Sequence, residues 1–182
     1  SCKAIKNNQL IDNDKNVIAL IGNPNVGKST IFNSLTGLNQ HTGNWPGKTV
    51  ESAYGTYKYN NKEYILVDLP GTYSLFSSSK EEEISKRFIC FIKHKLTVIV
   101  LDATMLERNL NLATQIIETG DNVIVCVNLI DEAKKKNIKI DLQKLEEELK
   151  VPVIQTNATN KKSLNKLIYL IEKNYLRRKQ DK

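Results

Sequence analysis

Short, continuous apolar runs alternate along this chain with longer stretches whose apolar positions recur every three or four residues. Val17–Ile21, Tyr64–Val67, Thr97–Leu101, Val123–Asn128 and Val151–Ile154 are rich in β-branched residues and predict buried strands. The longer periodicity predicts helices over Ser29–Leu35, Glu81–Ile92, Leu106–Thr119, Leu142–Lys150 and Ser163–Leu176. In the last of these, Leu164, Leu167, Ile168, Ile171 and Tyr175 form a single apolar stripe. Gly37 and Gly120 stand where the first and third helices should stop. Val50–Tyr59, Asn60-Asn61 and Lys62–Val67 read as a hairpin. The pattern predicts an α/β fold: a six-stranded, mostly parallel sheet with one antiparallel strand and helices on both faces.

Two segments call for other readings. Gly37–Thr49 is polar and aperiodic, and a loop of that length without structure of its own is usually functional. The acidic run Glu81–Glu83 invites a metal-binding reading, but Ser79 with Glu82 three residues later is the spacing of a capping box.

With 182 residues, 40% of them hydrophobic and 26% charged, the chain is long and apolar enough for one domain with its own core. No apolar run approaches the ~20 residues that span a bilayer, and the Asn- and Lys-rich first fifteen residues contain no signal-peptide core. The expectation is a soluble chain. Its net charge of +7 suggests nucleic acid at first, but residues 161–182 alone carry +6, leaving +1 for the rest. A basic last helix is not a basic stripe across a folded face, so no nucleic-acid partner is expected.

Gly22-Asn23-Pro24-Asn25-Val26-Gly27-Lys28-Ser29, followed by Thr30, joins a predicted strand to a predicted helix and matches the phosphate-binding P-loop. Its glycines let backbone N–H groups curl around an anion at a helix N-terminus. Lys28 would reach the β- and γ-phosphates, and Ser29 would put its hydroxyl on Mg²⁺. Asp68-Leu69-Pro70-Gly71 follows the next strand, where Asp68 can hold Mg²⁺ and the Gly71 N–H can sense a γ-phosphate. Thr49, between these motifs, is a candidate to complete the Mg²⁺ shell. Asn128-Leu129-Ile130-Asp131 closes a further strand; the Asp131 carboxylate can accept both N1–H and N2–H of guanine, which adenine does not offer. Leu129 would pack on the base. In Thr156-Asn157-Ala158-Thr159, after the last strand, a backbone N–H would meet guanine O6.

The hydrolytic centre has gaps. Thr72 follows Gly71, where many GTPases place a water-orienting Gln, and it is too short for that task. No arginine lies in Gly37–Thr49 to neutralise the transition state. Slow intrinsic hydrolysis follows unless another cation is supplied. The Asn25 amide oxygen, with carbonyls from Gly43–Trp45, could ligate K⁺ in place of an arginine finger. A turn-stabilising Asn is the competing reading of Asn25.

GNPNVGKST, NWPGKTVE, DLPGTYSL, DATMLERNL and NLIDEAKKKNIKID together resemble the cytoplasmic G domain of the ferrous iron transport protein B (FeoB) family. The resemblance runs from about Val17 to Tyr175. It implies a Ras-like P-loop GTPase with Mg²⁺, K⁺ stimulation through Asn25 and the Asn44-Trp45 loop, and GTP and GDP as ligands. It also implies a place at the cytoplasmic face of the bacterial inner membrane, beside a membrane transport domain of the same full-length protein. On this view residues 1–182 are a single G domain with its core at about 16–176, the family's helical inhibitor region and transporter lie outside this chain, and a homo-oligomer is possible. Asn157, where the family more often has Ser, and Thr159 depart from its pattern. Two other outputs stay open for the same site: an RNA- or ribosome-associated K⁺-dependent GTPase, and a GTP-gated docking module.

Overall fold

Successive residues of β1 (Asn16–Gly22) face opposite sides of a sheet: Val17, Ala19 and Ile21 enter one core, Ile18 and Leu20 the other. In β5 (Leu96–Asp102), Ile99 and Leu101 oppose Val98 and Val100 in the same way. In β6 (Val123–Asn128), Val123, Val125 and Val127 oppose Ile124 and Cys126. Strands apolar on both sides need a cover on both sides, which is why their sequences run apolar without alternation. The computed structural model describes residues 16–43, 52–76 and 78–180, with side chains as far as 175.

The sheet has seven strands in the order β2 (Gln40–His41), β3 (Ala53–Tyr59), β4 (Lys62–Asp68), β1, β5, β6 and β7 (Val153–Gln155). β1 pairs in parallel with β4 and β5, and β6 in parallel with β5 and β7. β3 runs antiparallel to both its neighbours and is the one strand of opposite direction. Helices α1 (Lys28–Thr36) and α6 (Lys161–Gln180) cover one face with Ile31, Phe32, Leu167 and Ile171. Helices α2 (Lys80–Phe91) and α3 (Leu106–Glu118) cover the other with Phe88, Ile89, Leu112 and Ile116. Leu142, Leu145 and Leu149 of α5 (Leu142–Leu149) pack at the margin of that second core.

Local signals behave as their chemistry requires. Asn60 and Asn61 have φ of 48° and 59°, the pair of left-handed residues that a two-residue hairpin turn needs. The Ser79 hydroxyl accepts from Glu82 N–H (3.2 Å) while the Glu82 carboxylate accepts from Ser79 N–H (3.3 Å), the reciprocal capping box. Among the described residues no cluster of side chains is arranged to hold a metal, and no helix is long and apolar enough to cross a membrane.

Three features differ from the sequence-based expectation. The sheet has seven strands rather than six, because Gln40–His41 pairs with Tyr54 and Gly55 inside the stretch read as a structureless loop. Two residues are too few to show alternation. The last strand is Val153–Gln155, shifted from Val151–Ile154, since Pro152 has no N–H for the ladder. The short helix α4 (Ile130–Lys135) lies in a segment whose apolar periodicity is too brief to announce it.

Candidate nucleotide-binding site

Parallel pairing decides which loops meet. The register sets Leu20 beside Asp68, Gly22 beside Val100 and Asp102 beside Asn128, so the segments leaving β1, β4 and β6 emerge on one edge of the sheet. Ligands bind at this carboxyl edge in open α/β sheets.

The first of these segments turns sharply. Asn25 adopts φ 64° and Gly27, the N-cap of α1, φ 83°. A Cβ on Gly27 would collide with the Asn128 side-chain amide, so glycine is required by contact as well as by conformation. The DLPG segment lies directly on the P-loop: Thr72 N–H donates to Gly22 O (3.1 Å), and a Cβ on Gly71 would meet Pro24 Cα at 3.1 Å. Together Asn23, Pro24, Asn25, Gly27, Lys28, Ser29 and Gly71 line a cavity of about 380 Å³ at the N-terminus of α1.

Lys28, which lines it, pairs through Nζ with Asp68 Oδ1 at the end of β4. Burial raises the Asp68 carboxyl above the usual carboxylate range, and Lys28 partly offsets that rise. The neighbouring Ser29 hydroxyl is exposed at the first turn of the helix. A carboxylate and a hydroxyl, both hard oxygen donors, fit Mg²⁺. Asn23 is buried with both amide atoms unpartnered.

A second cavity, about 390 Å³, shares Gly27 with the first and is lined by Thr30, Asn128 through Glu132, Lys135 and Thr156 through Thr159. Asn128 is buried and donates from Nδ2 to Val26 O (3.0 Å), which fastens the guanine motif to the P-loop. Leu129 takes a left-handed φ of 62° to start α4, bringing its side chain toward Gly27. Asp131, exposed on the first turn of α4, accepts from Asn157 Nδ2 (3.0 Å). Ala158 is anchored through its carbonyl by the Ser34 hydroxyl (3.0 Å).

The structure therefore brings together Gly22–Thr30, Asp68, Gly71, Asn128, Leu129, Asp131 and Asn157–Thr159 along one connected cleft. The carbonyl of Gly43 accepts the Ser52 N–H (3.2 Å) at the base of the intervening loop. Asn44, Trp45 and Thr49 lie outside the described residues. Thr72 is buried and its hydroxyl donates to Ser74 O (2.8 Å), which leaves it committed to its own loop.

Sequence reasoning missed a set of residues on α3. Gln115 Oε1 accepts from Leu75 N–H (2.8 Å) and from the Ser74 hydroxyl (3.1 Å), Asn111 donates to Tyr73 O, and the Arg108 guanidinium sits 4.6 Å from the Tyr73 ring centroid. They hold the segment that follows Gly71. Their spacing, three then four residues, marks one polar face on an otherwise core-facing helix, and that was the available signal.

The family model described as ferrous iron transport protein B matches residues 16–171. A curated relative, the Fe(2+) transporter FeoB of Campylobacter jejuni, is 40% identical over 90% of this chain and 27% of its own length. The chain thus spans about a quarter of that relative. The FeoB G domain of Methanococcus jannaschii superimposes with a TM-score of 0.78 at 42% identity, covering 89% of this chain and 98% of that one. The cytosolic domain of T. maritima FeoB in a GDP form gives 0.81 at 39% identity, covering 88% and 63%.

Proposed function

Because this chain belongs to the ferrous iron transport protein B family, as its GTP-binding G domain, we propose that it is a slow, K⁺-stimulated GTPase that regulates ferrous iron movement. In the full-length protein it would work at the cytoplasmic face of the cell membrane, joined to the domain that carries iron across. The observation that carries the reading is the pair of adjoining cavities, with Lys28, paired to Asp68, lining one, Asp131 lining the other, and Gly27 common to both. One suits an anionic phosphate chain, the other a planar base that presents two parallel donors.

The residues have separate tasks. The loop Gly22–Gly27 and the N-terminus of α1 direct backbone N–H groups toward the phosphates. Lys28 would leave Asp68 to neutralise the β- and γ-phosphates, and Ser29 and Asp68 would hold Mg²⁺, with Thr49 the candidate to complete its shell when the nucleotide is a triphosphate. When bound there, Mg²⁺ would supply charge neutralisation for the phosphate oxygens. Gly71 reports the γ-phosphate through its N–H, and the Asn111–Gln115 face of α3 carries the segment beyond it. Asp131 selects guanine, Leu129 and Ala158 bound the base, and a backbone N–H of the Thr156–Thr159 turn would meet O6.

Hydrolysis is slow because the Thr72 hydroxyl is engaged within its loop and no arginine enters the phosphate cavity among its described lining residues. Asn25, exposed at the cavity mouth, would supply a ligand for K⁺ together with carbonyls of Gly43 and Trp45. A cation at that position supplies the charge an arginine finger would bring, worth ~10³–10⁵ in rate.

GTP turnover measured in matched KCl and NaCl, for this chain and for Asn25→Ala, tests the reading. K⁺ stimulation lost in Asn25→Ala supports it. Equal rates in the two salts remove K⁺ from the mechanism, and failure to bind GDP or GTP removes the nucleotide reading as a whole.

A further inference from the structure

Glu172 is the one acidic residue of α6, and the fold takes it off the surface. It is 8% exposed, with Oε2 accepting from Asn60 Nδ2 (2.7 Å) and Oε1 from Lys62 Nζ (3.2 Å) at the tip of the β3–β4 hairpin. Leu167 and Ile171 face the core. What remains outward on the described part of the helix is Lys161, Lys162, Asn165, Lys166, Tyr169 and Lys173. Lys162, Lys166, Tyr169 and Lys173 follow at intervals of four, three and four residues, which aligns them in one row along the helix. The row carries positive charge and no carboxylate.

This arrangement does nothing for the helix itself. Lys161 and Lys162 stand in the first turn, where the macrodipole favours acids. Lys162 and Lys166, four apart, repel each other, and no acid sits three or four positions from either to offset them. Other surface helices mix signs: α2 exposes Lys80, Lys86 and Arg87 with Glu81 and Glu83, and α5 exposes Lys144 with Glu146, Glu147 and Glu148. Successive lysines of the α6 row stand about 6 and 10 Å apart along the axis, comparable to the Debye length of ~8 Å at physiological salt, so their potentials add toward an approaching surface. Tyr169, 56% exposed in the middle of the row, presents an apolar ring with a polar tip.

We propose that this outer face of α6 docks on an anionic lipid surface, with Lys162, Lys166 and Lys173 against the headgroups and Tyr169 seated between them. Such a surface matches the row in three respects. It is flat and extended like one side of a straight helix, it carries negative charge throughout, and its interfacial zone takes up tyrosine rings. Of the polyanions that fit the charge, a bilayer is the one that a domain of a membrane transporter meets, and in this respect the proposal rests on the placement of the domain given above. The surface is separate from the nucleotide cleft, because none of its four residues lines either cavity. Docking through one helix face fixes how the domain is oriented on the membrane.

The test is sedimentation of the whole chain, free of nucleotide, with vesicles of phosphatidylcholine alone and of phosphatidylcholine mixed with phosphatidylglycerol. Binding is expected only to the mixed vesicles and should fall as salt is raised. Each lysine held near such a surface is worth roughly fivefold in affinity, so the triple variant Lys162→Gln, Lys166→Gln, Lys173→Gln should bind about a hundredfold more weakly. Lys134→Gln, Lys136→Gln and Lys139→Gln together remove the same charge beside α4, which packs on the other core, and that variant should bind nearly as the parent does. Tyr169→Ser should weaken binding without changing its salt dependence. The melting temperature and GDP affinity of the α6 variants check folding and should match the parent. If the triple variant does not fold, Lys166→Gln alone should show the roughly fivefold loss. Equal losses in the two triple variants would reduce the effect to net charge and overturn the proposal, as would equal binding to both vesicle types. A single-stranded RNA oligomer bound more tightly than the mixed vesicles, with that affinity lost in the α6 triple variant, would overturn it in favour of nucleic acid. A parent chain that binds no GDP strikes the nucleotide reading instead and leaves this surface standing.

Discussion

Asn128→Ala probes whether the guanine motif is also part of the frame that shapes the phosphate loop. The buried Asn128 side chain donates from Nδ2 to Val26 O at 3.0 Å, and its Oδ1 faces the Thr156 hydroxyl at 3.4 Å. Truncation to Ala leaves the Val26 carbonyl without that partner in a buried position, which costs about 1–3 kcal/mol. In a domain of this size each kcal/mol lowers the melting temperature by about 2–4 °C, so the nucleotide-free variant should melt roughly 2–12 °C earlier. Thermal unfolding followed by circular dichroism without nucleotide or Mg²⁺ isolates this effect from ligand binding. Titration with GDP then adds the functional half: affinity should fall further than the base contact alone explains, because Gly27 loses the neighbour that fixes its turn. A nucleotide-free melting temperature within about 1 °C of the parent, a shift well under 1 kcal/mol, would refute the reasoning and confine Asn128 to the base pocket.

Thr72→Ala should leave GTP turnover nearly unchanged, well short of the ~10²–10⁴ that a proton-transfer group contributes; a hundredfold loss in a steady-state assay would show that the Thr72 hydroxyl leaves Ser74 to act on water. Alkaline pH should destabilise the fold through Tyr57 and Tyr64, whose rings stack with centroids 5.0 Å apart beneath α6. Burial, with Glu172 nearby, pushes Tyr64 up to about 12 and raises Tyr57 as well. Because these phenols stay neutral in the fold, their stabilisation is complete below pH 10 and is lost as the pH rises from about 10 toward 12, where the unfolded chain ionises first. Melting temperatures across that window check the sign; a flat profile, or one that matches Tyr57→Phe, would contradict it.

The sequence by itself determined the features that depend on neighbours along the chain. Unbroken β-branched runs such as Val123–Val127 specify strands covered on both faces, because the apolar atoms they carry cannot be hidden from one side only. Asn60-Asn61 specifies its turn through the left-handed backbone it tolerates, and Ser79 with Glu82 specifies a helix start through two reciprocal bonds. The phosphate loop was legible for the same reason: its chemistry sits in one continuous segment between a strand and a helix.

Tertiary structure alone decided what depends on residues distant in sequence. Gln40–His41 becomes a strand only because β3 offers it a partner, and Leu129 takes a left-handed backbone at the turn from β6 into α4, which a leucine does not announce. Lys28 meets Asp68 across forty positions, Asn128 meets Val26 across 102, and Asn157 meets Asp131 across 26. Gly55 shows the same limit from the packing side, since a side chain there is excluded by the Asn39 carbonyl oxygen and the Thr36 Cβ, each of which would lie 2.7 Å from the atom that any other residue would add. Periodicity encodes which face of an element is buried but not which other element covers it. The register of the sheet settles that second question, and with it which side chains share the cleft.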